Sequence, residues 1–266
     1  MTDYARLRAC RLFVLDLDGT LYLGETVFPG AIDFLETVER TGRRFLYLTN
    51  NSSRTWADYL PRLRRLGLPC DESLFFSAGL AAAQYLNEEY PGARVYVVGN
   101  RALRGELSAR GVRVTDGDAD LVLGCCDTEL TFDKLDRAVS LLRRGAPFVA
   151  CNLDFVCPMP AGEVQIDCGS ICALLTAASG VEATVIGKPN RRMIDLLSKK
   201  TGVPNGQICC VGDRLYTDIA VGVNAGAVTA AVLTGETDPD EIAASAVRPD
   251  YVFPSVAEIA AVLRSS

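Results

Sequence analysis

Short apolar runs alternate with amphipathic segments along almost the whole chain, and this alternation strongly limits the possible folds. Nine runs have the composition of strands: LFVLD, RFLYLTN, SLFFSA, VYVVG, DLVLGCC, FVACN, ATVIGK, QICCVGD and AVTAAVL. The segments between them carry apolar residues at helical spacing and often end in glycine. Because continuous apolar runs are typical of strands covered on both faces, the sequence predicts an α/β protein with parallel sheets.

Size and charge narrow the classes of protein further. The chain has 266 residues, of which 49% are hydrophobic, enough for one large domain or two modest ones. Its net charge of −6 argues against a broad surface for nucleic acid or anionic membrane. The N-terminal MTDYARLRACRLF lacks the apolar core of a signal peptide, and no apolar run approaches a membrane span. We therefore expect a soluble, cytoplasmic protein.

Histidine and cysteine usage restricts the chemistry. The sequence contains no histidine, which excludes Ser-His and Cys-His catalysis and any His-ligated metal. It contains ten cysteines, but none in a CxxC pattern, and they are spread over the predicted strands and helices. The sequence thus favours reduced, mostly buried thiols over a disulfide framework or a zinc site.

Two acids lie one residue apart where the first apolar run ends. In the motif DLDGT, Asp16 and Asp18 follow a predicted buried strand. Residues i and i+2 of an extended segment point the same way, so both carboxylates emerge side by side. Because two such charges repel each other, a cation is expected nearby.

Three later runs also end in groups that can bind an anion or a metal, and the carboxyl ends of parallel strands are where ligands of such sheets bind. These residues are Thr49, Asn50 and Asn51 in LTNNSSR, Lys188 in VIGKPN, and Asp213 and Asp218 in VGDRLYTD. Each of these three motifs alone is explained by turn and cap chemistry. Their combination with DLDGT favours a functional site.

In this order the four motifs resemble those of the haloacid dehalogenase-like (HAD) hydrolases, which are mostly magnesium-dependent phosphatases. Roughly 135 residues separate LTNN from GKP, room for a whole domain, and this resembles the class IIA branch. That branch includes NagD-like nucleotide phosphatases, 4-nitrophenylphosphatases, phosphoglycolate phosphatases and pyridoxal-phosphate phosphatases. The resemblance implies a Rossmann-like, doubly wound core from residues 1–91 and 183–266, with an α/β cap inserted at 92–182.

The resemblance also implies the roles of the site residues. Asp16 is expected to be the nucleophile that forms an aspartyl-phosphate, and Asp18 the general acid and base. Mg²⁺ is the expected cofactor, with a set of ligands drawn from Asp16, the backbone carbonyl of Asp18, Asp213 and Asp218. The transferring phosphoryl group is expected to contact Thr49, Asn50, Asn51 and Lys188.

Within the predicted cap, the segment ACNLDFVCPMP resembles the Asn-x-Asp stretch of the family. Asn152 and Asp154 are either turn-forming residues or substrate contacts, because both side-chain types serve both purposes. The loop from Phe155 to Met159 is expected to face the substrate, a small phosphorylated metabolite. A homodimer formed through the cap is a hypothesis drawn from relatives.

Two other functions remain open at this point. A phosphoryl transferase such as a sugar phosphomutase shares the aspartyl-phosphate step but passes the group to a sugar. A non-catalytic phosphometabolite-binding protein would be indicated by loss of Asp16 or Asp18, and both acids are present.

Overall fold

The computed structural model describes residues 3–158 and 163–265. Met159, expected in the substrate-facing loop, lies outside the described residues. The chain folds into two compact units. The first unit contains Met1–Thr49, Leu60–Phe76 and Lys188–Ser266, and the second contains Asn50–Tyr59 and Ser77–Gly187.

The first unit is built on a six-stranded sheet in the order β15-β14-β13-β1-β4-β5. Its central strand β1 pairs in parallel with β4 and β13, and β14 pairs in parallel with β13 and β15. The strands are β1 (Leu12–Leu15), β4 (Arg44–Thr49), β5 (Phe75–Ser77), β13 (Ile208–Gly212), β14 (Val228–Val232) and β15 (Tyr251–Phe253). Strands β1, β13 and β14 are buried at every position, as continuous apolar runs require.

The helices of this unit supply its remaining core. Helix α2 buries one apolar side that includes Phe34, whose ring meets Phe13 of β1 edge to face, with centroids 6.0 Å apart. The helices are α1 (Ala5–Arg8), α2 (Ala31–Arg40), α8 (Arg192–Thr201), α9 (Ala220–Ala225), α10 (Pro239–Ala244) and α11 (Val256–Arg264). Helix α3 (Trp56–Arg65) includes residues of both units, and a short hairpin joins β2 (Tyr22–Leu23) to β3 (Thr26–Val27).

The second unit is built on a five-stranded sheet in the order β12-β9-β8-β6-β7, with every pair parallel. Its strands are β6 (Arg94–Val98), β7 (Arg113–Thr115), β8 (Leu121–Gly124), β9 (Phe148–Ala150) and β12 (Thr184–Val185). Its helices are α4 (Ala78–Glu89), α5 (Arg101–Ala109), α6 (Phe132–Arg143) and α7 (Cys168–Ser179). An antiparallel hairpin of β10 (Val156–Pro158) and β11 (Val164–Ile166) precedes α7.

The predicted fold class is confirmed, because strands and helices alternate and both large sheets contain parallel pairs. The predicted domain limits of 1–91, 183–266 and 92–182 remain a prediction. All ten cysteines lie in the described residues, none of them forms a disulfide there, and eight of them are buried. Among the described residues, no helix combines the length and apolar character needed to cross a bilayer.

Candidate active site

Three acids meet at the carboxyl ends of β1 and β13. Asp16 follows β1 and Asp213 follows β13, and the parallel register pairs Leu15 with Val211 just before them. The Asp16 N–H donates to the Val211 carbonyl at 3.0 Å, so the two strand ends are held side by side. Asp218 lies in a short π-helical turn (Leu215–Ile219), and one carboxylate oxygen of each acid lies within 4.8 Å of the others.

Two glycines allow the backbone to come this close to the acids. A Cβ atom on Gly19, whose φ is +83°, would lie 2.3 Å from Oδ2 of Asp213. A Cβ atom on Gly212 would lie 2.2 Å from Cβ of Asp218. Any larger residue at either position would displace a carboxylate, so the glycines of DLDGT and VGD serve the acid cluster directly.

Lys188 supplies a buried cation within the cluster. Its Nζ donates to Oδ1 of Asp16 at 2.7 Å, to Oδ1 of Asp218 at 2.5 Å and to the Leu48 carbonyl at 3.4 Å. Its side chain is only 4% exposed. Burial acts to lower the pKa of Lys188, but the adjacent Asp16 and Asp218 outweigh burial and raise it. Lys188 therefore stays protonated and charged.

The cluster carries more negative than positive charge. With Asp16, Asp213 and Asp218 ionised and Lys188 protonated, the formal charge is −2. Burial, followed by repulsion from Asp218, raises the pKa of Asp16 to about 7. Hard carboxylate oxygens that converge on one point with this excess charge fit a divalent cation such as Mg²⁺.

Asp213 is oriented by further hydrogen bonds. Its Oδ1 accepts from the Thr20 hydroxyl at 3.0 Å, and its Oδ2 accepts from the Glu236 N–H at 3.0 Å. The Thr234 hydroxyl donates to the Gly19 carbonyl at 2.6 Å and so links the loop after β14 to the loop after β1. Thr234 and Glu236 were not predicted, although the TGET that follows the run AVTAAVL is another polar strand exit.

Asp18 lies outside the carboxylate cluster and pairs with an arginine from α3. Arg62 donates from Nη2 to Oδ1 at 3.1 Å and from Nη1 to Oδ2 at 3.4 Å. Burial raises the pKa of Asp18 above its usual value, while Arg62 opposes that rise. Arg62 was not predicted, because one arginine in an amphipathic helix carries no local signal of its partner.

The predicted phosphoryl contacts fall into two groups. Thr49 ends β4 in the first unit and directly follows Leu48, whose carbonyl accepts from Lys188. Asn50 and Asn51 belong to the second unit. Oδ1 of Asn51 accepts from the N–H groups of Ser53 at 3.0 Å and Arg54 at 2.8 Å, the pattern of a turn-forming asparagine.

Asn50, Asn152 and Asp154 lie together in the second unit. Nδ2 of Asn50 donates to Oδ2 of Asp154 at 2.9 Å, and Nδ2 of Asn152 donates to the Asn50 carbonyl at 2.6 Å. The predicted Asn-x-Asp stretch therefore contacts the segment that follows Thr49. Phe155 is exposed directly after it. The next residues, Val156–Pro158, form strand β10 and not the predicted loop, because they pair with β11.

Comparison with known proteins identifies the family of the chain. Residues 13–113 match the family model of haloacid dehalogenase-like hydrolases, and residues 185–259 match a second HAD-like hydrolase model. The chain is 31% identical over 246 residues to 5'-nucleotidase YutF of Bacillus subtilis, covering 92% of this chain and 96% of YutF. It is 31% identical over 250 residues to an acid sugar phosphatase of Staphylococcus saprophyticus, covering 94% and 96%.

A solved structure shows the same fold. The crystal structure of a 4-nitrophenylphosphatase from Thermotoga maritima superposes with a TM-score of 0.92 at 37% identity, covering 97% of this chain and 99% of that one. The chain belongs to the haloacid dehalogenase-like hydrolases, in the class IIA, NagD-like branch that its motifs predict. Within that branch its class of activity is phosphoric monoester hydrolysis. Family and enzyme class are thus confirmed.

Proposed function

We propose that the protein hydrolyses small phosphate monoesters with Mg²⁺, through a phosphoryl group carried on Asp16. The observation that carries the proposal is the contact of Asp16 with Lys188 inside a cluster of three acids. The relatives named above are a 5'-nucleotidase, an acid sugar phosphatase and a 4-nitrophenylphosphatase. Their names favour transfer to water over transfer to a second sugar.

Asp16 is the proposed nucleophile. One of its carboxylate oxygens bonds to phosphorus as the bond from phosphorus to the ester oxygen breaks, and water then attacks the same phosphorus and releases Asp16. Lys188 keeps one oxygen of Asp16 in place through its 2.7 Å hydrogen bond and offsets phosphoryl charge. Splitting the displacement in this way gives two easier steps.

Asp18 is the proposed proton carrier. It donates a proton to the leaving alcohol in the first step and accepts one from water in the second. Its raised pKa and the partial exposure of its side chain, 49%, suit a group that must exchange a proton with a substrate. Because Arg62 holds both oxygens in the structure, Asp18 has to leave part of that contact to act as an acid.

Magnesium would be held by Asp16, Asp213 and the backbone carbonyl of Asp18, with Asp218 as a further supporting acid. When bound, Mg²⁺ offsets the negative charge of the phosphoryl oxygens and aligns them for attack. Asp218 also holds Lys188, so it keeps the cation of the site in place. Thr49 and Asn50 are proposed to donate to the phosphoryl oxygens, and the second unit is proposed to act as the cap that selects the leaving group.

The test is phosphate release from a panel of esters, with Mg²⁺ and with a chelator. The panel contains nucleoside monophosphates, sugar phosphates, phosphoglycolate, pyridoxal phosphate and 4-nitrophenyl phosphate. We expect release with Mg²⁺, none with the chelator, and none from Asp16→Asn. Activation by a sugar bisphosphate with little free phosphate would instead indicate a mutase.

We also propose that the protein forms a homodimer through the second unit. In the β10–β11 hairpin Val156 pairs with Ile166, and Val164 lies two residues from Ile166 on the same face. All three apolar side chains are exposed, and together they form a patch that a second copy would cover.

Sedimentation should show a dimer for the wild type and a monomer for the double variant Val164→Lys/Ile166→Lys. The control Phe132→Ser changes an exposed residue outside the hairpin and should leave the dimer intact. A wild-type monomer would contradict the proposal.

The cytoplasmic location remains a prediction.

A further inference from the structure

The Asn152 side chain has no solvent-exposed surface, and both of its N–H groups are already bonded within the protein. Its side chain is buried with 0% exposure. Nδ2 donates to the Asn50 carbonyl at 2.6 Å and to Oγ of Ser52 at 3.3 Å, and Oδ1 accepts from the Asp154 N–H at 3.0 Å. Since a primary amide has two N–H donors, both are used inside the protein.

Residues 50–53, the loop that Asn152 contacts, are held in place by hydrogen bonds to other segments of the second unit. Residues 50–53 follow β4 without regular structure of their own. Beyond Asn152, Oγ of Ser52 accepts from the Cys126 N–H at 3.0 Å, and the Ser53 carbonyl accepts from Nδ2 of Asn100 at 2.8 Å. The loop is therefore fixed to residues that follow β6, β8 and β9, three neighbouring strands at the centre of the second sheet.

A third segment packs against the same point. The Gly187 N–H donates to the Cys151 carbonyl at 2.7 Å. A Cβ atom on Gly187 would lie 2.4 Å from that carbonyl, 2.6 Å from Oδ1 of Asn50 and 3.1 Å from Cβ of Asn152. Only glycine can occupy position 187, so the backbone just before Lys188 packs tightly against Asn50 and Asn152.

We infer that Asn152 is a positioning residue that acts through Asn50 and does not contact the substrate. By holding the Asn50 carbonyl and the Ser52 hydroxyl, it sets where the Asn50 side chain can meet a phosphoryl group. A loop misplaced by about 1 Å can lower turnover about 100-fold. The inference rests on the proposed function, in which Asn50 binds the phosphoryl oxygens.

A double-mutant cycle tests the inference. Asn152→Asp keeps the shape and the acceptor for Asp154 but replaces the donors with an oxygen that faces the Asn50 carbonyl. We expect this change to lower kcat about 10- to 100-fold, with a smaller change in KM. In the Asn50→Ala background the same change should lower kcat by less than about 3-fold, because the group that it positions is gone. Full multiplication of the two effects would overturn the inference.

A matched control separates positioning from general loss of stability. Asn205 lies in the first unit and donates to Asp195 at 2.8 Å and to the Ala225 carbonyl at 3.0 Å. Asn205→Ala should lower stability while leaving kcat unchanged. Hydrogen exchange of residues 50–54 should accelerate in Asn152→Asp and not in Asn205→Ala.

The exchange measurement also separates this inference from the proposed function. If the wild type hydrolyses no ester, the proposed function fails, and exchange alone decides whether Asn152 anchors the loop. Unchanged exchange of residues 50–54 in Asn152→Asp would overturn the anchoring.

Discussion

Single glycines decide whether the acid cluster can form. Gly19 has φ +83° and its missing Cβ makes room for Asp213, whereas Gly42 has φ +74° and open space where a Cβ would lie. Gly19→Ala and Gly42→Ala therefore share backbone strain of roughly 1–2 kcal/mol. Only Gly19→Ala should also displace a carboxylate, with an expected loss of about 100-fold in kcat and weaker Mg²⁺ activation. Equal kinetics in the two variants would contradict this role of Gly19.

The raised pKa of Asp16 predicts how the chelated protein responds to pH. In the folded protein Asp16 keeps its proton up to about pH 7, whereas in the unfolded chain it loses the proton near its usual 3.8. The folded state therefore binds more protons between these values, and the free energy of unfolding falls as pH rises through this window.

Asp16→Asn cannot lose a proton and should escape that decline. Urea unfolding in chelator at several pH values should show the variant gaining on the wild type by up to about 1.4 kcal/mol per pH unit until about pH 7. Parallel pH curves for the two proteins would show that Asp16 has an ordinary pKa.

At the scale of helices and hairpins, two arginines of α3 contact the β2–β3 hairpin, which follows DLDGT. Nη2 of Arg62 donates to the Gly24 carbonyl at 2.7 Å, and the guanidinium lies 4.5 Å from the ring centroid of Tyr22. Arg65, one turn later, contacts the same hairpin through Glu25, at 3.3 Å. Arg62 differs from Arg65 because it joins the hairpin to Asp18.

Arg62→Met should therefore lower kcat about 10-fold, because Asp18 loses the two hydrogen bonds that Arg62 donates to it. Arg65→Met removes an exposed ion pair with the same hairpin and should leave kcat unchanged. Steady-state kinetics of the two variants, with unfolding curves for each, makes the comparison. Equal losses would place the effect in the hairpin and not in Asp18.

The nine predicted strands are all present, because strands buried on both faces are continuous apolar runs. The hairpins β2–β3 and β10–β11 and the strands β7 and β15 were not predicted, because each of these six strands is only two or three residues long and gives no extended apolar run. The sequence alone places four site residues together, because the carboxyl ends of parallel strands lie at one edge of a sheet. These residues are Asp16, Lys188, Asp213 and Asp218. The contacts of Arg62 with Asp18 and of Asn152 with Asn50 could not be predicted, because they join residues that are 44 and 102 positions apart in the sequence.

Burial governs the reactivity of the thiols throughout the molecule. Cys70 and Cys157 are partly exposed, and the other eight cysteines are buried. Burial raises the pKa of Cys126 and of Cys210 to about 12, which disfavours the reactive thiolate. We expect an aromatic disulfide reagent to modify two thiols quickly in the native protein and ten in urea. Fewer than ten in urea without reductant would indicate a disulfide.

The whole mechanism depends on Asp16 carrying the phosphoryl group, and trapping that acyl phosphate is the sharpest test. Borohydride reduces an aspartyl-phosphate to homoserine, so the protein is quenched during turnover with Mg²⁺ and substrate, reduced, digested and sequenced by mass spectrometry. We expect homoserine at position 16, dependent on substrate and absent from Asp16→Asn. Undiminished phosphate release by Asp16→Asn, or homoserine at another aspartate, would rule out Asp16 as the nucleophile.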